Sequence, residues 1–555
     1  MRVKILVFIL FIGAILRTWG LDRVPLELFG DELDVGYHAY SILNTGKDYY
    51  GQTLPTYIHS FSEWRAPLLM YATAPFVAVF GLNEWGVRLP SAVFGIISIF
   101  LLYLLVDRTL KNKTVALLAA LILAVSPWHL QYSRAAFEVS LLLVLILGGT
   151  LSFLRGLQKP GWLLAATVLF ALTFYTYSTA NVFTPLFVLL LLLLHRKEVV
   201  SIKRKLVGPL IIFVILIIPI SYHILFGKAA ERFGNFSIFS GDEVVSEINI
   251  KRAEKGPIEG ALFYNKPIVW GRKILGNYAT AFSPQFLFIE GDVTFRHSVH
   301  TIGELYWIQL PFLIAGLVWF LGKRDKRLLF WLGWLLLAPL PASLTRDGSI
   351  HATRLILMLP PLTVLTAGGL NLFLDAKWKR AVKKTVLALI LFAVLVELSL
   401  YINRYWVDYP RESWRWWHVG YKEAMLFMKE NEKEYDIFAF NNTYEPSLIR
   451  FLFWWKYPPD KFLQEFSGDK PEEGILPGFN GFSVGSRYYF GSMGQDLGVV
   501  KFAKPNILYL VSQRDEVPGD WDWEKDPPAG ITVLKTVRNP YSEPIFYVVT
   551  GEGSH

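Results

Sequence analysis

The chain contains no cysteine. Disulfides, thiolate nucleophiles and cysteine metal sites are therefore excluded at once. Charge is scarce too: Lys, Arg, Asp and Glu make up 18% of the 555 residues, and they gather between long apolar runs instead of covering a surface. That excludes an ordinary soluble domain over most of the length, where about a quarter of residues are charged. No glycine-rich phosphate loop or dinucleotide fingerprint is present, so a nucleotide sugar has no evident cradle. The net charge of +9 comes without a basic face carrying interleaved aromatics, which argues against a nucleic-acid partner.

What is present is apolar and aromatic. Hydrophobic residues reach 53%, with 41 Phe, 26 Tyr and 19 Trp. Runs long enough to cross a bilayer, or nearly so, cover 3–20, 87–106, 114–130, 139–154, 162–179, 182–194, 206–226, 305–321, 328–344, 353–374 and 382–402. They predict a mainly α, polytopic membrane protein with about 11 transmembrane helices and a transmembrane domain over residues 1–402. Residues 1–20 carry Arg2 and Lys4 before their apolar core, but the stretch up to Gly20 lacks a small-x-small cleavage site, so it reads as a retained span. The run 66–81 holds Pro67 and Pro75 and reads as juxtamembrane.

Parity supports that choice. With 66–81 outside the count, every second connection is basic: Arg108, Lys111 and Lys113; Arg155 and Lys159; Arg196, Lys197, Lys203, Arg204 and Lys205; Lys323, Arg324, Lys326 and Arg327; Lys377, Lys379, Arg380, Lys383 and Lys384. The short connections on the other side hold only Arg134, Arg346 and Arg354. The positive-inside rule then predicts a multi-pass protein of the cell membrane with a cytoplasmic N-terminus. The first outer loop (about 21–86), the long outer loop (about 227–304) and everything after 402 share the other side. Residues 403–555 have mixed soluble character and predict an extracytoplasmic α/β domain, with a helix at 420–431 and strands at 435–440, 507–511, 532–537 and 545–550.

The outer loops carry the candidate chemistry. Asp31, Glu32 and Asp34 crowd together just after the first span, where acids near hydrocarbon call for a polar cavity or a ligand; the plainer reading makes Asp31 or Asp34 a helix N-cap. Glu63 and Arg65 flank Trp64, either as site residues or as a snorkelling pair. Arg134 and Glu138 stand four apart, the spacing of a helix-surface pair. Asp292, Arg296, His297 and His300 cluster in the long loop, at spacings that fit no standard metal pattern. Arg346, Asp347, His351 and Arg354 crowd a short connection. Together these loops offer a carboxylate base and several groups able to hold an anion at the membrane surface. Sugar transfer from a lipid phosphate requires that set: the leaving phosphate gathers charge, and the acceptor hydroxyl needs a positioned base.

The order of these motifs resembles the dolichyl-phosphate-mannose protein mannosyltransferase and aminoarabinose transferase superfamily of integral-membrane glycosyltransferases. The resemblance covers about 1–375 and rests on the Asp31–Glu32 pair, the Glu63–Pro67 segment, Gly86–Ala92, and the stretches around His297 and His351. It implies a polyprenyl- or dolichyl-phosphate sugar donor, a lipid, glycan or protein acceptor, and contact with membrane lipids. It implies Asp31 as the catalytic base with Glu32, Glu63 and Arg65 as site residues; Arg134, Glu138, Arg296, His297, His351 and Arg354 are read as substrate-binding from their place on the outer loops and span ends. Some members of the superfamily use a divalent metal, for which Asp31 and Glu63 are the candidates; Trp64 between Glu63 and Arg65 departs from the family pattern. The competing reading is a transporter or flippase of lipid-linked sugars, which predicts internal repeats or ionisable groups at the bilayer midplane. The chain shows no such repeat, and its clustered charges sit at the ends of spans.

Overall fold

Each of the apolar runs becomes helix, but fewer of them reach membrane-crossing length than the hydrophobic pattern predicts. The computed structural model describes all residues except 61–62, 228–229, 231–233, 235–236, 241, 323–324, 467, 469, 495–496 and 553–555. Lys323 and Arg324 of the basic connections lie outside the described residues. Among the described residues five helical segments are long and apolar enough to cross: Glu84–Leu110, Glu138–Gly156, Lys203–Leu225, Ala352–Asp375 and Arg380–Glu412. The pair Lys113–Val125 and Pro127–Ser133, bent by 59°, makes a sixth if counted as one span. Of the about eleven expected transmembrane helices, five or six thus have crossing length, and the other runs form shorter helices.

The physical reason is interruption. Trp162–Thr173, Ala180–Leu194 and Gln309–Gly322 hold 12, 15 and 14 residues. At 1.5 Å per residue such helices reach roughly 18–23 Å, short of the ~30 Å hydrocarbon core. The run 66–81 yields a helix of only 13 residues, Leu68–Phe80, with Pro75 inside it.

The long helices divide by their surroundings. The apolar windows of Glu138–Gly156 and Ala352–Asp375 are 89% buried within the protein, and those of Lys203–Leu225 and Arg380–Glu412 only 6%. The first pair forms the centre of the bundle. The second presents apolar side chains outward, as lipid-facing helices do.

The segment 21–86 is built rather than loose. Its helix Gly30–Thr45 starts from Phe29, whose carbonyl accepts from the backbone N–H groups of Glu32 and Leu33 at 3.0 and 3.1 Å. The N-cap is therefore Phe29, not Asp31 or Asp34. A two-residue hairpin follows, β1 (Ile58–His59) and β2 (Trp64–Arg65), pairing Ile58 with Arg65 and His59 with Trp64. Strand alternation sends neighbouring side chains to opposite faces. Trp64 stacks on His59 at 4.6 Å, and Arg65 goes into the interior.

Beyond residue 402 a mixed sheet of seven strands forms from β3 (Ile437–Asn441), β4 (Glu472–Leu476), β5 (Phe479–Val484), β6 (Tyr488–Ser492), β7 (Ile507–Ser512), β8 (Ile531–Arg538) and β9 (Pro544–Gly551), in the order β4-β5-β6-β3-β7-β9-β8. The predicted helix and four strands are present; β4, β5 and β6 are additional. Only β3 has parallel neighbours, β6 and β7.

This sheet region is not a separate ball resting on the bundle. Leu33, Tyr37 and Val87 of the membrane half share one hydrophobic core with Phe440, Phe451 and Phe453. The approach is close at Gly36, where an added Cβ would stand 2.5 Å from the Phe453 ring and 2.6 Å from Val87. Tyr37 donates a hydrogen bond to the carbonyl of Tyr457 at 2.9 Å. The helix bearing Asp31 is thus clamped from both sides.

Candidate active site

Residues three apart on a helix share a face, and Asp31 and Asp34 do so here. Both turn toward Arg65. Its Nη2 donates to Asp31 Oδ1 at 2.6 Å and to Glu63 Oε1 at 2.5 Å, and its Nε stands 3.9 Å from Asp34 Oδ2. Burial works against the Arg65 charge; Asp31, Asp34, Glu63 and Glu138 outweigh it and hold its pKa well above the ordinary arginine value. Four carboxylates around one guanidinium leave the group net negative.

The acids differ in access. Asp34 is 7% exposed in its side chain and accepts hydroxyl hydrogen bonds from Tyr49 and Ser60, each at 2.5 Å. The Asp31 side chain is 48% exposed. His38, one turn beyond Asp34, lies 3.5 Å from it and is stacked on Tyr49 at 3.8 Å; burial lowers its pKa to about 4, so it is neutral at physiological pH.

Glu32 has a different place. Its carboxylate takes Arg88 Nε and Nη2 at 2.9 Å each and the Ala136 N–H at 2.9 Å, with both side chains fully buried. Arg88 also donates to the carbonyls of Leu21, Pro25 and Glu27. Arg134 is likewise internal, all three of its nitrogens donating to the carbonyls of Leu16, Trp19, Gly20 and Val24 and to the Tyr405 hydroxyl. It forms no helix-surface pair with Glu138, because the helix stops at Ser133 and the next begins at Glu138. Glu32 and Arg134 therefore fasten the walls of the site.

A second polar group lies across an aromatic floor. Phe29 packs on Phe137 at 5.6 Å, and Phe137 on His297 at 5.4 Å. His297 and His351 sit 4.9 Å apart, and Thr353 is 3.2 Å from His297 Nδ1. Burial pushes both histidines down, His351 to about 4. Arg354 pairs with Asp347 and donates to Thr345 Oγ1 at 2.6 Å. Arg296 spans the two groups: its guanidinium lies 4.4 Å over the Phe29 ring, donates to the Trp416 carbonyl at 3.2 Å, and feels the Asp31 charge. His300 stacks on Phe295, and Arg346 bonds the Ser237 carbonyl; neither joins either group.

The two candidate metal ligands, Asp31 and Glu63, converge on one nitrogen of Arg65. That guanidinium stands where a cation bridging them would stand, so the pair as arranged does not suit a metal. Among the described residues no group of three or more His, Asp or Glu gathers in metal-binding geometry.

Sequence reasoning missed Asp34's hydroxyl partners, the role of Arg88, and Glu27. Arg88 carried a signal, a lone charge near the start of a long apolar run. Glu27 had none: its carboxylate caps a distant helix, accepting the N–H groups of Gly420 at 2.9 Å and Lys422 at 3.3 Å. Burial raises its pKa to about 7.

Comparison with known proteins agrees with the superfamily resemblance. The family model described as "Dolichyl-phosphate-mannose-protein mannosyltransferase" matches residues 64–223. A Bacillus subtilis (strain 168) protein named "Putative mannosyltransferase YycA" is 25% identical over 392 residues, 55% of this chain and 55% of that protein. Another from the same organism, "Putative mannosyltransferase YkcB", is 32% identical over 133 residues, 23% of this chain and 18% of that protein. The matched stretch thus spans about half the length of the first relative and under a fifth of the second. In fold, the chain is similar to the crystal structure of ArnT from Cupriavidus metallidurans bound to undecaprenyl phosphate, with TM-score 0.52 and 12% identity over 99% of this chain and 97% of that one.

Proposed function

We propose that this chain is an integral-membrane glycosyltransferase that moves a monosaccharide from a polyprenyl-phosphate sugar to an acceptor hydroxyl, with inversion, on the non-cytoplasmic side. The relatives named as mannosyltransferases and the shared fold with an enzyme solved with undecaprenyl phosphate support this donor class, with a mannose-like sugar. The observation that carries the reading is the condition of Asp31: a half-exposed carboxylate fixed by Arg65, against 28% exposure for the Glu63 side chain and 7% for that of Asp34.

In this reading the acceptor hydroxyl approaches Asp31, which takes its proton as the oxygen bonds to the anomeric carbon. The bond from that carbon to the phosphate oxygen breaks on the opposite face, and the electron pair leaves with the phosphate. An aspartate of ordinary acidity is ionised at neutral pH and serves without a partner acid. Arg65 keeps its proton and orients the base, and Glu63 and Glu138 hold Arg65. The phosphate meets Arg296 and Arg354, with neutral His297 and His351 as hydrogen-bond donors. Glu32 and Arg134 act through the scaffold. The positive-inside pattern supports a cytoplasmic N-terminus and an extracytoplasmic 403–555 region.

The test is purified protein in lipid, offered a panel of radiolabelled polyprenyl-phosphate sugars. Transfer or release of label by the wild-type protein, lost in Asp31→Asn, is the expected result. Failure to act on any donor would overturn the reading.

A further inference from the structure

A cavity of about 820 Å³ lies apart from the acid cluster. It opens between the segment leaving the membrane and the ends of the seven-stranded sheet, and Arg296 stands in its wall. The same Arg296 covers Phe29, two residues before Asp31. The volume falls within the ~300–1,000 Å³ typical of ligand sites.

Its lining is unusual for a membrane protein. Val517, Pro544 and Ile545 are its aliphatic side chains, while Trp414, Trp416 and Tyr444 line it together with Arg415, Gln513, Asp520 and Glu543. Three features point to a ligand. Trp416 is 39% exposed at the cavity, an indole face without an aromatic neighbour among the described residues. Arg415 lies 5.1 Å over the Trp414 ring and has no carboxylate partner there. Asp520 and Glu543 add exposed carboxylates to the wall, and the Gln513 amide stands beside them. Flat rings beside amide, carboxylate and guanidinium groups match a molecule with apolar C–H faces and many hydroxyls. The lining offers no long apolar surface for an acyl chain.

We infer that this cavity is the acceptor site and that it takes a hydrophilic glycan chain, with Trp416 as stacking platform and Gln513 and Arg415 bonding its hydroxyls. The inference rests on the glycosyltransferase reading for the word acceptor; the glycan site itself stands on the lining. It places a growing end beside Arg296, on the path to Asp31, and makes a lipid acceptor the losing alternative.

The test uses full-length protein in nanodiscs and neutral tetrasaccharides of mannose, glucose and galactose, read by saturation-transfer NMR. At least one tetrasaccharide is expected to bind at millimolar concentration. Trp416→Ala and the cavity-filling Val517→Trp are each expected to weaken it at least tenfold. Saturation transfer that is equal in wild type and both cavity variants, or absent in wild type, would overturn the glycan site. So would binding of a lysophospholipid that both variants abolish while no tetrasaccharide binds. A protein that binds the glycan through Trp416 but transfers no sugar from any donor leaves the site standing and removes the enzymatic reading instead.

Discussion

Two buried arginines hold the same helix, and they do so in opposite ways. Arg88 meets one carboxylate, Glu32, in a two-pronged pair, and its remaining donors end on three backbone carbonyls. Charges balance, and water is shut out. Arg65 meets four carboxylates, its Nε is left without a hydrogen bond, and one of its acids opens to solvent. A buried ion pair that is matched and closed fixes geometry. One that is over-supplied with acid and open at one edge has chemistry to offer. The first turn of one helix carries both kinds, with Asp31 and Glu32 adjacent in sequence and one on each arginine.

Substitutions sharpen this contrast. The largest effect is expected at Asp31→Asn, which keeps shape and hydrogen bonding but accepts no proton. Transfer should fall about 100- to 10,000-fold, with the thermal unfolding midpoint near wild type. An Asp31→Asn protein that transfers normally would move the base elsewhere. Glu32→Gln should do the reverse, leaving Arg88 buried without a counter-charge at a cost of roughly 3–5 kcal/mol. The expected result is a large drop in heat stability measured without donor; a Glu32→Gln protein as stable as wild type would erase the distinction between the two arginines.

Asp34→Asn is intermediate. The hydroxyls of Tyr49 and Ser60 keep one acceptor and lose another, at about 1–3 kcal/mol, and Arg65 loses a charge that helps retain its proton. Stability and turnover should both decline modestly, read as unfolding temperature alongside kcat. A dead but well-folded Asp34→Asn protein would make Asp34 the base.

The smallest expected effect lies at Glu27, outside both clusters. Its pKa in the folded protein is about 7, above the ordinary carboxyl value, so the docked state holds the proton more tightly than the undocked state. Its contribution to docking is full below the ordinary value and is lost as pH rises through about 7. Between about pH 5 and pH 8 the unfolding temperature of the wild type should fall more than that of Glu27→Gln. Parallel curves would remove Glu27 from the docking of the sheet region.

The sequence showed much of this molecule, and its failures have particular causes. Apolar runs located the helices because hydrophobic length is local. They did not locate the breaks, because turns such as that after Thr173 divide runs that composition alone reads as continuous. In the sheet, Ile507–Ser512 and Pro544–Gly551 were legible as apolar β-rich runs. Glu472–Leu476 and Phe479–Val484 were not, because glycine and polar residues break their pattern and pairing of β4 with β5, and of β5 with β6, holds them in place.

At the candidate site, the sequence by itself singled out acids and bases between the apolar runs, since charges beside hydrocarbon are few and expensive. It determined that Asp31, Glu63 and Arg65 belong near one another. Only the tertiary structure decided which acid is open. Asp31 and Glu32 are chemically alike and adjacent, but 100° of helical turn sends one to the exposed edge at Arg65 and the other to Arg88, 56 residues further along the chain. Accessibility and ion-pair stoichiometry are properties of what packs around a carboxylate, and those neighbours come from segments that no local pattern connects.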